Sequence, residues 1–495
     1  MTSAPVRRRV VVLAAVASIM AALDTLVVAT ALTTIQRDLH ASLDTLEWTV
    51  NAYNLSFAAL LMTDAALGDR YGRARMFALG LTIFVIASAA CGFARSAQEL
   101  IVARAIQGVG AALVLSLALA LVGAVFPAER RGAVLGGIQG ATGLATACGP
   151  LLGGAIAQGL AWQWIFWVNV PIGLIAIPLA LSKIPDSRGP DDALDLPGLT
   201  LVTTGAFALL YALMRGASTG WTTSAVFVSA ATALILLAAF VRWELRTPAP
   251  MLPMSLFRAR GFTAGNTAVF LAFAALFAAV FFYPQLLQSV LGLSPVRTGV
   301  LLLPWTLTLV CCAPFAGQLT DRIGPRPVAT TGLTFMAIGM FRIAAVAHPA
   351  MSYAPLIIPL IISGIGTALV VPATQSATLA AVHPDLIGKA AGANSTMREF
   401  GGVFGTALAA TIFTATGAYT TPETFTAGFR PAIAFGAALA LLGALSALGL
   451  PARRKPTEPT NSRPAQSSLL NRFPRNRSNA GSSDVSRSTS SPPVH

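Results

Sequence analysis

Charge is scarce in this chain: 11% of its 495 residues are charged, where a soluble domain carries about a quarter. A water-exposed enzyme or binding domain is thereby excluded. Histidine and cysteine are also few, four of each. His40, His348, His383 and His495 fall near the ends of apolar runs or in the C-terminal tail, and Cys91, Cys148, Cys311 and Cys312 lie inside such runs without metal-ligand spacing. No metal centre, cofactor or enzyme signature follows from them. Alternating barrel strands are missing, and so is a ring of filter residues such as a channel needs. The first apolar stretch follows Arg7, Arg8 and Arg9 but is too long for a signal peptide and lacks a small-residue cleavage site, so it reads as a first membrane span.

What the chain has instead is hydrocarbon. Hydrophobic residues make up 55% and the mean hydropathy is +0.71. Its apolar runs reach the ~20 residues that carry a helix across a bilayer with every backbone polar group satisfied. Fourteen spans are expected, near 10–35, 48–68, 76–94, 99–125, 132–158, 164–182, 197–214, 224–241, 262–288, 298–317, 328–347, 354–381, 390–416 and 431–450. The net charge of +14 is spread in small clusters at span ends, which speaks for topology and against a nucleic-acid partner. With the N-terminus inside, seventeen basic residues collect at cytoplasmic span ends, from Arg7 through Arg70, Arg130 and Arg246 to Lys389, against six at outer ends. That is a positive-inside bias, and the even span count places both termini in the cytoplasm.

These runs divide the chain into a cytoplasmic N-terminus (1–9), an N-terminal six-helix half (10–182), a linker with two inserted helices (183–260), a C-terminal six-helix half (261–450) and a tail (451–495). The tail, rich in Ser, Pro, Asn and Arg, cannot bury enough apolar surface to offset the cost of ordering and is expected to be disordered. The halves are related by an internal repeat. Ala65-x-Leu67-x-Asp69-Arg70-x-Gly72 recurs as Gly317-x-Leu319-x-Asp321-Arg322-x-Gly324, and Gly108-Val109-Gly110-x-Ala112-Leu113 recurs as Gly364-Ile365-Gly366-x-Ala368-Leu369.

The repeated loop is similar to the signature of the major facilitator superfamily. Further strings resemble its fourteen-span drug:proton antiporter branch: LDTLVVATAL (Leu23 to Leu32), Trp48 to Leu55, Arg104 to Gly110, Gly149-Pro150-Leu151-Leu152-Gly153-Gly154, WQWIFWVNVPIG (Trp162 to Gly173) and GANSTMREFGGVFG (Gly392 to Gly405). Ala65 and Ala145 stand where the family pattern has Gly, and Glu399 where a neutral amide is usual. The resemblance implies an all-α polytopic major facilitator fold of two pseudo-symmetric six-helix halves and two inserted central helices. It also implies proton-driven export of small amphipathic drugs or antibiotics across a bacterial inner membrane, powered by the proton motive force without a cofactor. The partners expected are a small-molecule substrate, protons and the lipid bilayer, for a monomer. A metabolite permease working inward, or a membrane sensor without turnover, are the alternatives.

An ionised side chain inside a span costs at least ~2.5 kcal/mol, so each one is a functional candidate. Counted from the span ends at 1.5 Å per residue, Asp24 and Arg104 fall at similar depth in the outer half. They are expected either to take up and release the transported proton, with Arg104 tuning Asp24, or to form a purely structural pair. Arg398 and Glu399, with Asp64 near the inner end of span two, offer a second proton site or a local helix-locking network. Asp69, Arg70, Gly72, Arg73 and Arg75, repeated in part as Asp321 and Arg322, occupy the cytoplasmic loops. The resemblance implies a conformational latch there, the alternative being charge that only sets topology. In span five, Gly149, Pro150, Gly153 and Gly154 expose and bend backbone, a pattern that in the family marks antiporters and that packing alone also explains. For the substrate cavity, the amides Gln107 and Asn266 and the aromatics Tyr53 and Phe281 are the candidates, although aromatics at helical spacing also suit a core or lipid-facing position.

Overall fold

In the computed structural model, residues 4–41, 43–126, 161–187, 195–248, 250–383 and 386–452 are described, with a few isolated positions between 134 and 145. They are helical almost throughout. The helices are α1 (Ala4–Leu39), α2 (Leu43–Tyr71), α3 (Arg73–Phe93), α4 (Ala97–Val125), α5 (Trp164–Trp167), α6 (Asn169–Lys183), α7 (Leu196–Thr219), α8 (Ser224–Glu244), α9 (Arg260–Ser289), α10 (Pro295–Leu301), α11 (Leu303–Ile323), α12 (Pro325–Val346), α13 (Ala354–Ala380), α14 (Ile387–Thr416) and α15 (Pro422–Ala447). Among the described residues, nine helical stretches are long and apolar enough to cross a membrane, counting α5 and α6 as one. Helices α1, α2 and α14 are also long, of 36, 29 and 30 residues.

Local chemistry sets the helix ends. Ser96 accepts the Glu99 amide at 3.2 Å while Glu99 reaches back to the Arg95 amide at 2.8 Å, which satisfies donors left open at the start of α4. Asp195 caps α7, with Pro197 in its first turn. The last span differs from the expected 431–450. A reciprocal Thr421–Thr424 cap and Pro422 start α15 nine residues earlier, so Arg430 lies within the helix and not at its outer end. Span ten is likewise split, with a short turn at Leu302 separating α10 from α11. Apart from Val134, Gly137, Ile138, Ala141, Thr142 and Ala145, the expected span five lies outside the described residues, as does the tail beyond 452.

Packing follows the glycines. Helices α2, α3 and α1 each lie on α4, and α12, α11 and α9 each lie on α13. An added Cβ at Gly110 would stand 2.5 Å from Phe84 N and 2.8 Å from Gly80 O, and at Gly366 it would meet Met336 N and Gly332 O in the same way. At Gly108 it would strike Tyr53 O, and at Gly364 Trp305 O. The repeat seen in the sequence is thus a repeat of backbone contacts, set where only glycine permits such approach. The two repeated loops match as well: Gly72 and Gly324 both join consecutive helices at positive φ, 104° and 93°. Helix α7 pairs with α8 and also lies against both α2 and α14, which touch each other. Trp48, Leu55, Leu210, Tyr211 and Phe400 form the apolar contact among these three helices.

Candidate functional site

The largest fully buried side chain described is Arg104, on α4. A guanidinium sealed from solvent must find a counter-charge and donor partners inside the protein. Its Nη1 forms an ion pair with Asp24 Oδ2 of α1 and donates to Gln107 Oε1 at 2.8 Å; its Nε donates to Thr49 O of α2 at 3.1 Å. The guanidinium carbon lies 4.1 Å from the centre of the Tyr53 ring and 5.8 Å from that of Phe166, a cation–π environment. Nη2, beside these rings, makes no hydrogen bond among the described residues.

Asp24 is held from the other side by amides. Gln107 Nε2 donates to its Oδ1 at 2.9 Å and Asn169 Nδ2 does so at 3.4 Å. Both amides also donate to Ser88 Oγ, at 3.3 and 3.0 Å, and the Ser88 hydroxyl donates to Phe166 O at 3.0 Å. Cys91 closes the ring by donating to Gln107 Oε1 at 3.5 Å. Asp24, Ser88, Arg104, Gln107 and Asn169 are all buried, contributed by α1, α3, α4 and α6. The chain reaches this point because α4 is the helix against which α1, α2 and α3 all pack.

The pairing of Asp24 with Arg104 agrees with the depth estimate from the sequence. Gln107 and Tyr53, read from the sequence as cavity residues, are brought into this cluster, Tyr53 donating its hydroxyl to Ala21 O at 3.3 Å. Sequence reasoning missed Ser88 and Asn169. Asn169 sat inside the quoted string Trp162 to Gly173, and as a buried amide in an apolar span it was the available signal.

The other expected residues lie apart from this cluster. Arg398 and Glu399 pair with each other on α14, Nε to Oε1 at 3.2 Å, and Arg398 faces the Phe273 ring at 5.5 Å. Asp64, buried on α2, has an oxygen without a hydrogen bond and no ion-pair partner among the described residues. Asn266 belongs to a buried amide clasp, donating to Phe262 O at 3.0 Å and accepting from Asn394 at 3.2 Å, while Asn394 also reaches Thr378. Phe281 is 40% exposed on α9, edge-on to Phe282. At the loop between α2 and α3, a partner unforeseen in the sequence appears: Asp186 accepts the Ala74 amide at 3.2 Å and pairs with Arg75 Nε at 3.2 Å, while the Arg73 amide donates to Ser187 O at 2.9 Å. A carboxylate at the first turn of α3 is favoured by the helix dipole. Arg70, Asp321 and Arg322 are exposed; the side chain of Asp69 and all of Gly149, Pro150, Gly153 and Gly154 lie outside the described residues.

Comparison with known proteins places this architecture. The sequence profile described as Major Facilitator Superfamily matches residues 14–406 and, in an overlapping second match, 265–482. The chain is 33% identical over 397 residues to the tetracenomycin C resistance and export protein of Streptomyces glaucescens, covering 80% of this chain and 73% of that one. It is 32% identical over 410 residues to the methylenomycin A resistance protein of Bacillus subtilis, covering 81% and 87%. Among solved structures, the proton:xylose symporter XylE superposes with a TM-score of 0.62 at 14% identity, over 90% of this chain and 95% of that one, a likeness of fold.

Proposed function

The chain belongs to the Major Facilitator Superfamily, and from that premise we propose that it exports small amphipathic drugs or antibiotics in exchange for protons. Its place is the cytoplasmic membrane of a bacterium, which it crosses fourteen times as two six-helix halves and an inserted pair, with both termini inside. It moves its substrate by alternating access and carries out no catalytic chemistry.

The observation that carries this reading is the Asp24–Arg104 cluster, a carboxylate and a guanidinium sealed in a span. A proton arriving at Asp24 and the Arg104 guanidinium compete for the same carboxylate oxygen. Protonation therefore releases Arg104 from α1, and Gln107, bonded to both partners, transmits the change along α4. Such a charge switch favours one arrangement of the helices over another by its differential energy in the two. The Asp186 clasp on Arg75 holds the α2–α3 loop in the arrangement seen and serves as the cytoplasmic latch. One proton entering down 100 mV and one pH unit supplies about 3.7 kcal/mol, enough for a roughly 500-fold gradient of a neutral solute.

The test uses inverted vesicles holding the protein and a respiration-generated proton gradient, challenged with lipophilic cations and neutral antibiotics. A transported compound dissipates the gradient with the wild-type chain and not with Asp24→Asn. Equal dissipation by the variant overturns the role of Asp24, and accumulation of the compound by whole cells overturns export.

A further inference from the structure

The inserted hairpin α7–α8 rests on two carboxylates that the proton exchange at Asp24 leaves unused. Asp195 immediately precedes α7 and Glu244 ends α8. Each has one oxygen well occupied: Asp195 Oδ1 accepts from the Gly198 amide at 2.9 Å and from Trp243 Nε1 at 2.7 Å, and Glu244 Oε2 accepts from the Leu252 amide at 3.0 Å. The second oxygens, Asp195 Oδ2 and Glu244 Oε1, are shut off from solvent and make no hydrogen bond that meets ordinary geometry. They flank one point, because a Cβ added at Gly198 would strike Asp195 Oδ2 and stand 2.9 Å from Glu244 Oε1. Glu244 is 3% exposed.

No cation answers this pair among the described residues. Arg242 and Arg246 flank Glu244 in sequence and Arg258 follows, and all three are exposed. Lys389, at the base of α14, donates to Pro250 O at 2.7 Å. The groups that act on Glu244 are the Asp195 carboxylate and the amides of Met251 and Leu252. Two facing carboxylate oxygens in such a place repel unless something positive lies between them.

We propose that Asp195 and Glu244 share one proton, making the base of the inserted hairpin a proton-binding site separate from the Asp24 cluster. A shared proton needs only the two open oxygens, joined by a single charge-assisted O–H···O⁻ bond. A metal ion needs more. A hard divalent cation needs about six oxygen ligands, whereas two oxygens are free here and the remaining neighbours are N–H donors.

The site also anchors a strap. The segment between α8 and the 3₁₀ turn at Met254–Arg258 hangs from Glu244 through Leu252 and from α14 through Pro250 and Lys389. Loss of the proton sets two negative charges side by side, and relief by rotation of Glu244 frees Leu252. Cytoplasmic pH thereby sets how firmly the hairpin is tied to α14.

The experiment is an infrared difference titration of the purified full-length protein in lipid nanodiscs, with hydrogen–deuterium exchange of residues 250–258 read alongside. The expected result is a protonated-carboxyl stretch that disappears on alkalinisation together with faster exchange of the strap. Both are lost in Glu244→Gln and in Asp195→Asn, and both are kept in Asp24→Asn. Glu244→Gln supplies an N–H in place of the shared proton, so its strap should remain protected across the titration. A wild-type spectrum without the band overturns the proposal, as does a band that survives in both variants. Removal of the band by magnesium, calcium or sodium chloride at constant pH also overturns it and marks a cation site instead. A band that vanishes in Asp24→Asn alone locates the titrating group in the Asp24 cluster and again overturns it.

Discussion

The helices α1 to α4 and their repeats α9 and α11 to α13 share packing but not polarity. Gly80, Gly108 and Gly110 make backbone contacts that Gly332, Gly364 and Gly366 make again. At the same offsets, Arg104 and Gln107 become Leu360 and Ser363, and Ser88 and Cys91 become Met340 and Ile343. Where the first copy buries an ion pair with its amides, the second packs Met340, Ile343 and Leu360 with Phe282, Tyr283 and Trp305 in an apolar core. The same helix packing thus occurs without an ion pair at the equivalent positions. The Asp24 cluster is an addition to the packing that the second copy does without.

The sharpest way to break this comparison is to give the first copy the second copy's residue. Arg104→Leu leaves Asp24 buried without its counter-ion and should cost about 3–5 kcal/mol, read as a large fall in the thermal midpoint of the purified protein, with transport abolished. Adding Asp24→Asn removes the stranded charge. The double variant should regain most of the midpoint yet remain inactive in the vesicle assay, and a double variant that transports would show the pair to be structural. Next in size, Gly110→Val and Gly366→Val each press a side chain against the facing backbone at about the same separation. Each should lose about 1–3 kcal/mol and the two losses should match. A tolerant Gly366→Val beside a damaging Gly110→Val would show that the two contacts differ in kind.

The same comparison explains what was legible in the sequence. Gly72 and Gly324, or Gly110 and Gly366, are forced by backbone geometry, so they leave the same letters twice and the repeat could be read directly. Asp24 and Arg104 stood out because charge inside an apolar run is costly, and counting rise per residue put them at one depth. What counting could not supply was azimuth. Gln107 is one turn beyond Arg104, and its turn toward Asp24 depends on how α1 and α3 lean on α4. Ser88 was invisible for another reason, since small polar residues are common in spans, where they bond their own helix or a neighbour at little cost; Asn169 was legible only as an amide inside the string Trp162 to Gly173. Asp186 lies 112 residues from Ala74, and no local pattern ties a loop carboxylate to a helix start so far away. The early start of α15 was masked by Arg430 and Pro431, which read as a boundary until the Thr421 cap is seen.

Smaller changes sharpen the comparison. Asn169→Ala removes two donors, one to Asp24 and one to Ser88, but leaves the ion pair and Gln107 in place. It should cost about 1 kcal/mol and slow transport without ending it, measured as initial rates of gradient dissipation. The least effect on stability is expected at the α2–α3 loop, where Arg75 is 66% exposed in its pair with Asp186. An exposed pair contributes about 0–1 kcal/mol, so Asp186→Asn should barely move the thermal midpoint. Its consequence lies in populations. If the clasp holds the α2–α3 loop in one state, its removal changes how fast a cysteine introduced at the loop is labelled from the cytoplasmic side, while Asp24 and Arg104 keep their pairing. A variant that lowers the midpoint as much as Gly110→Val would instead make Asp186 a structural cap of α3. The buried cluster and the exposed clasp would then differ only in degree, whereas in the proposed exchange cycle one binds the proton and the other sets which side is closed.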